Sequence, residues 1–298
     1  MNETVSPHRK KTPVRPVRAR RIAFQYPTDD LPRHFVSGDL VMSHVMSTLS
    51  AVFPEGEDFF VRSVRNYRDQ IVDPELKKQV AGFIGQEAMH GREHRSFNKQ
   101  LSALGYPTWI IDKFVGWGLK FGERVLPKTV QLAITAALEH YTATLAEVLL
   151  SDPKAQDMLN VDEVRSLFLW HALEESEHKA VAFDVYEEVS GNTFVRVMVM
   201  RAVTVGFIFG IAGAAILSMF ADRAALNPRR VWRSFGALRQ SPWLNGKVLR
   251  DIRAYNRRGF HPDDRDATAL VERWRAELFG SDGALVPRLE GRSLAAGG

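Results

Sequence analysis

The residues Trp170-His171-Ala172-Leu173-Glu174-Glu175-Ser176-Glu177-His178 place two imidazoles and a carboxylate along one side of a helix. At about 100° per residue, His171, Glu175 and His178 fall at roughly 0°, 40° and −20° around the axis, so one metal ion could touch all three. A related cluster comes earlier, in Gln86-Glu87-Ala88-Met89-His90-Gly91-Arg92-Glu93-His94, where Glu87, His90 and His94 share a narrow stripe. Two such helices facing each other would make a dinuclear site. Two divalent ions roughly 3.5–4 Å apart need bridging carboxylates to offset their repulsion, and imidazoles supply the terminal nitrogen donors. The chain has no cysteine, which excludes disulfides, zinc–thiolate sites and iron–sulfur clusters. Nitrogen and oxygen ligation of this kind suits iron first and manganese second.

The elements that must position these groups all read as helix, with no sustained period-2 alternation anywhere. Ser37 to Ala51 is an apolar, methionine-rich segment that stops at Phe53-Pro54-Glu55-Gly56-Glu57; Pro54 opens a second helix that runs to about Gln70. Asp73-Pro74 is an N-cap followed by an N1 proline, starting a long helix that ends at Gly105 with Pro107 beyond. Residues 107 to 125 form an amphipathic connector, and a further long helix begins at Pro127 and carries Glu139, His140 and Tyr141. Asn160 with Glu163 resembles a capping box, opening the helix that bears the central cluster and ends near Gly191.

In chain order these helices offer a Glu, then Glu-x-x-His, then a Glu, then Glu-x-x-His, which is the ferritin-like di-metal pattern. Its members here are Glu57, Glu87 with His90, Glu139, and Glu175 with His178. The single Glu and the following Glu-x-x-His are 30 residues apart in the first half and 36 in the second, enough for one helix to turn back against the other. The expected fold is therefore all-α, a ferritin-like four-helix bundle over residues 23 to 192 with residues 107 to 125 as the long crossover. An N-terminal basic arm (1 to 22), an apolar helix (193 to 222) and a basic, helical C-terminal extension with a flexible tail from about Gly280 (223 to 298) flank it.

Phe53-Pro54-x-Gly56-Glu57, Gln86-Glu87-x-x-His90-x-x-x-His94, Glu139-His140-Tyr141-Thr142 and Trp170-His171-x-x-Glu174-Glu175-x-Glu177-His178 together resemble the bacterial family catalogued as predicted metal-dependent hydrolases, within the ferritin-like superfamily. The resemblance covers about residues 20 to 260 and implies a transition metal and hydrolysis. The ligand set is also similar to that of the di-iron arylamine N-oxygenases, which add a histidine four residues before the second Glu-x-x-His; His171 stands at that position. The resemblance thus implies seven ligands: Glu57, Glu87, His90, Glu139, His171, Glu175 and His178. Glu174 competes with Glu175, and Glu55 with Glu57. His94 is open as a ligand, as a donor to one, or as a proton relay. Tyr141, Gln86, Asp184 and Arg62 are candidates to orient the ligating imidazoles.

Such a centre can reduce O₂ or acidify a bound water for hydrolysis. The sequence reading favours an oxidation of a small or hydrophobic organic substrate by O₂, with hydrolysis as the alternative and a non-enzymatic membrane-surface scaffold as a third; the sequence names no electron donor. Residues 9 to 21 carry seven Arg or Lys and no acid, a basic arm suited to an anionic membrane surface, while the lack of an aromatic residue before Phe24 argues against nucleic acid. Ala202 to Phe220 holds 19 residues without a charge, about 28 Å as a helix and borderline for a membrane. Gly206, Gly210 and Ala214 form a small-residue stripe that would let another helix approach closely. Arginines flank both ends, against the positive-inside tendency for a single crossing, so an interfacial element, or burial in a homodimer or core, fits better. The expected location is the cytoplasm, at the inner face of the membrane.

Overall fold

A computed structural model describes residues 16 to 26 and 31 to 290; the reading of residues 1 to 15 as an arm lies outside them. The described residues form α1 (Leu40–Arg65), α2 (Pro74–Ala103), α3 (Thr108–Val125), α4 (Lys128–Ser151), α5 (Pro153–Met158), α6 (Asp162–His178), α7 (Val181–Val189), α8 (Thr193–Phe220), α9 (Pro228–Arg239), α10 (Gly246–Ala254) and α11 (Thr268–Phe279). No strand occurs among them, only an isolated bridge between Ile22 and Leu289. The fold is an all-α helical bundle.

The first difference from the sequence reading is at Pro54, which lies inside one continuous helix, α1, rather than starting a second. A proline there leaves the carbonyl four residues earlier without its N–H partner. Asn98 on α2 supplies one, its Nδ2 donating to the Ser50 carbonyl at 2.9 Å. A tertiary contact therefore repairs the helix. The contacts Ser50 to Asn98 and Pro54 to Arg95 set α1 and α2 antiparallel.

Asp73 caps α2 as expected, accepting from the amides of Glu75 and Leu76, and Gly105 beyond its end has φ of +87°, a left-handed turn that glycine adopts without strain. The capping box at Asn160 does not form. Asn160 Oδ1 accepts from the Ser37 amide and Glu163 from the Gln25 amide, so both side chains bind the N-terminal segment instead. The helix carrying the central cluster also stops at His178 rather than near Gly191, and the turn at Lys179-Ala180 lets the buried Lys179 ammonium reach Glu147 (3.0 Å) and the Arg265 carbonyl (2.6 Å).

Two apolar clusters hold the bundle. One joins Phe24, Phe35, Phe97, Leu149, Leu167 and Trp170; the other joins Phe60, Val64, Phe83, Leu132, Ala136 and Val185. Glu57, Glu87, Glu139 and Glu175 occupy the polar layer between them. Trp274 of α11 is buried and donates to the Leu150 carbonyl at 2.7 Å, so α11 covers the bundle. The stretch after Gly280 is held as far as residue 290, where Glu290 N donates to the Arg21 carbonyl at 2.8 Å. Helix α8 is not a core helix: only 17% of its most apolar window is buried.

Candidate metal centre

The four long helices bring all seven sequence-chosen side chains into one buried cluster. α1 contributes Glu57, α2 contributes Glu87 and His90, α4 contributes Glu139, and α6 contributes His171, Glu175 and His178. Their donor atoms fall into groups within 4.8 Å of one another: Glu57, His90 and His171; Glu87, His90 and Glu175; Glu87, Glu139 and His178. Glu87 and His90 belong to two groups each, which links the two ends of the cluster.

Each inward imidazole is held from behind by its other nitrogen. His90 Nε2 lies 3.1 Å from Glu174 Oε2, which leaves Nδ1 facing Glu175 at 3.6 Å and Glu87 at 3.9 Å. His178 Nδ1 donates to Gln86 Oε1 at 2.9 Å, because the Gln86 amide nitrogen is committed to Glu177 (2.9 Å) and the Arg18 carbonyl (3.2 Å). His171 Nδ1 lies 2.7 Å from His94 Nε2, His94 Nδ1 lies 2.9 Å from Ser50 Oγ, and the Ser50 hydroxyl donates to Asn98 Oδ1 at 2.7 Å. Along that row each imidazole donates from Nδ1, and His171 turns its Nε2 inward, 3.0 Å from Glu175 Oε1. Such backing fixes the tautomer and basicity of a metal-binding histidine.

Behind two of these histidines stands Arg20, from the segment read as an arm. Its guanidinium donates to Glu174 (2.8 Å) and with two nitrogens to Glu177 (2.8 and 2.7 Å), and Arg275 adds further bonds to Glu177 (2.9 and 2.7 Å). One cation therefore supports His90 through Glu174 and His178 through Glu177 and Gln86. Two arginines balance these two outer carboxylates, so Glu174 is an orienting group and Glu175 the inward one. Glu55 is likewise turned away, toward Lys120 at 3.7 Å. Asp184 and Arg62 make no hydrogen bond to the cluster's histidines among the described residues and pair instead with His261 (2.9 Å) and Glu123 (2.6 Å). Sequence reading missed Arg20, Ser50 and Asn98, since a basic run and two ordinary helix polar residues carry no distinguishing spacing.

The inner acids lack comparable partners. Nine buried side-chain atoms of Glu57, Glu87, His90, Glu139, Glu175 and His178 have no hydrogen-bond partner among the described residues. His178 Nε2 sits 3.1 Å from Glu87 and 3.2 Å from Glu139 without the angles of a hydrogen bond. Leaving one buried polar group unsatisfied costs about 1–3 kcal/mol, so nine in one place mark a site built around something else. Burial and the neighbouring Glu175 raise the Glu57 carboxyl well above its ordinary range; burial and Glu139 do the same to Glu87. Burial and Glu175 push Glu139 up to about 7. Burial would lower His178, but Glu139 and Glu175 hold it well above its usual value. The cluster thus retains protons that cations would displace. Four inner carboxylates also match the charge of two divalent ions, with neutral imidazoles completing the donor set.

A second group, His34, His44 and Asp222, also brings donors together, but its atoms are already paired. Asp222 Oδ2 accepts from His34 (2.8 Å), His44 (3.1 Å) and Arg33 (3.1 Å), so it is a clasp between α1 and the end of α8.

No curated protein and no solved structure matches the chain. The family described as "predicted metal-dependent hydrolase" matches residues 18–266, a span that takes in Arg20 together with all four helices of the cluster, and this chain belongs to that family.

Proposed function

We propose that this chain is a dinuclear metal enzyme acting on an apolar substrate, with Glu57, Glu87, His90, Glu139, His171, Glu175 and His178 as ligands and hydrolysis as its reaction. The observation that carries the reading is the set of nine buried, partnerless donor atoms between two apolar clusters. The family description supports hydrolysis over oxidation. Two ions bound there would supply concentrated positive charge, which acidifies a water for hydrolysis or, with iron, serves the reduction of O₂.

The chain's own groups do the rest. Glu57, Glu87, Glu139 and Glu175 offset the cations, and the tautomers of His90, His171 and His178 are fixed by Glu174, His94 and Gln86. Two cavities, about 960 and 550 Å³, both reach the cluster at Glu175 and share Thr142 in their walls, within the range of about 300–1,000 Å³ that suits small-molecule ligands. Their walls bind an apolar chain and exclude water. Tyr141 lines the larger cavity, and burial raises its phenol above the ordinary value, so it stays a neutral hydrogen-bonding group in an otherwise apolar wall.

O₂-dependent oxidation is the second reading. It is favoured by the smaller cavity, whose lining apart from Glu57 and Glu175 has Thr142 as its one polar side chain, leaving little to hold a polar scissile group. Metal analysis followed by two assays separates the readings. Zinc- or manganese-loaded protein should cleave nitrophenyl esters of medium-chain acids and lose that activity in Glu175→Ala. An O₂-dependent absorbance change in reduced, iron-loaded protein that cleaves no ester would replace hydrolysis with oxidation, and less than one bound ion per chain would sink both.

A further inference from the structure

Apolar exposure on this protein is concentrated. Of the exposed large hydrophobic residues among those described, all but Val72 lie within residues 109 to 126 or 194 to 249, on α3, α8 and the segment after α8. On α3, Phe114, Trp117 and Phe121 form a row with ring centroids 6.3 and 6.1 Å apart, and Trp117 is 67% exposed. Contiguous apolar patches of this kind mark interaction surfaces. On the α8 side the charge is basic: residues 190 to 250 contain nine Lys or Arg, of which Arg196 is buried, and a single acid, Asp222, which is buried in its clasp; α3 carries both signs, Lys113, Lys120 and Arg124 with Asp112 and Glu123.

Helix α8 is fixed to the bundle at both ends. Near its start the buried Arg196 guanidinium donates to the carbonyls of Tyr255 and, at 2.9 Å, Arg257. At its end Ser218 Oγ lies 2.8 Å from His44 Nδ1, next to the Asp222 clasp. A helix anchored in this way does not cross a bilayer away from its bundle. It lies along a surface, with an apolar face and a basic surround, as interfacial helices do.

The same two helices line the smaller cavity together with α1, α4 and Glu175 of α6. Gly206, Gly210 and Gly213 of α8 line it, and a methyl group at any of the three would meet no atom within 4 Å. The small-residue stripe Gly206, Gly210 and Ala214 thus also lines this cavity. Glycine weakens a helix relative to alanine, so what these residues serve is the cavity. Its outer rim includes the exposed Phe114, Phe209 and Leu217, and at its inner end lies the unpartnered carboxylate of Glu57, 2% exposed.

We infer that the α3–α8 face rests on an anionic lipid bilayer and that the glycine-lined cavity admits one acyl chain of a bilayer amphiphile to the cluster. The chain's chemical fate there rests on the proposed metal centre; membrane docking and chain entry do not. Basic side chains attract an anionic surface while the aromatic row enters it, and the cavity rim then opens where acyl chains are dissolved.

The test uses the full chain and two probes. Sedimentation with vesicles of phosphatidylcholine containing 30% phosphatidylglycerol (about that fraction suffices for a negative surface potential) should pellet the protein, with binding at least tenfold weaker on phosphatidylcholine alone. Trp117→Glu, an exposed position, should weaken pelleting about tenfold while metal content and helicity are unchanged. Fluorescence titration with cis-parinaric acid should show saturable binding that Gly210→Phe, which fills the cavity, weakens at least tenfold without altering vesicle binding. Vesicle binding by Glu175→Ala should match wild type, so loss of the metal centre and loss of the membrane face are separately visible. The inference is overturned if wild type ignores anionic vesicles, if Gly210→Phe keeps full affinity for parinaric acid, or if the protein is a stable dimer that Trp117→Glu dissociates.

Discussion

Replacing Arg20 with alanine should disable this protein from outside its metal-facing layer. Arg20 makes three charge-assisted bonds to Glu174 and Glu177, whose side chains are both fully buried. Bonds of this type are worth about 1.5–3 kcal/mol each, a gross loss of roughly 4–9 kcal/mol. Arg275 and Gln86 still hold Glu177, but Glu174 loses its only cation among the described residues. Breaking a buried pair by removing one partner costs about 3–5 kcal/mol, the figure expected here for the metal-free protein in urea denaturation. Glu174 already titrates at about 7, raised by burial and lowered by Arg20; without the arginine it stays protonated at neutral pH and ceases to be an anionic acceptor for His90. Loss of such backing weakens metal binding about 10–100-fold, measurable by competition with a chromophoric chelator. The double variant Arg20→Met with Glu174→Gln should regain part of the stability, because the apolar methionine refills the space and position 174 no longer carries a buried ionisable group, and little of the metal affinity. A stability change under about 1 kcal/mol with unaltered metal affinity would refute the reasoning.

Further expectations concern the cluster itself. Glu57, Glu87 and His178 hold their protons above their ordinary values, so the folded, metal-free protein binds more protons than the unfolded chain at neutral pH and loses stability as pH rises. The buried His90 and His94, lowered by burial, act oppositely but only up to about pH 6.5. Between about pH 6.5 and 8.5 the chelator-treated protein should therefore lose on the order of 1.4 kcal/mol per pH unit for each proton still held, whereas metal-loaded protein should not; parallel melting curves would contradict this. His94→Ala removes the acceptor for His171 Nδ1 and should lower metal affinity about 10–100-fold, seen by the same chelator competition. Glu57→Gln should lose bound metal by elemental analysis while Glu55→Gln, whose carboxylate faces Lys120, retains it; equal losses would reverse that assignment.

Spacing alone made much of the site readable. A Glu-x-x-His on a helix fixes which two side chains share a face, because the backbone repeats about every 3.6 residues, and two such motifs after two Glu-bearing helices restrict how the helices can face one another. Local rules also located the start of α2 at Asp73-Pro74 and its end at Gly105. They failed at Pro54, Asn160 and His178, where a tertiary partner overrode the local preference. Asn98 satisfied the carbonyl that a proline leaves open, Ser37 took the side chain expected to cap a helix, and Lys179 turned toward Glu147.

The sequence by itself determined that the chain is helical, that its donors are carboxylate and imidazole without thiolate, and which faces of four helices carry them, since residue type and helical period are local properties. Only the tertiary structure decided that Glu174 turns to Arg20 while Glu175 turns inward, that His94 supports His171, and that the glycines of α8 border a cavity. Those outcomes depend on which segments, distant along the chain, meet in space: Arg20 and Glu174 are 154 residues apart, and no repeat along the sequence encodes their meeting.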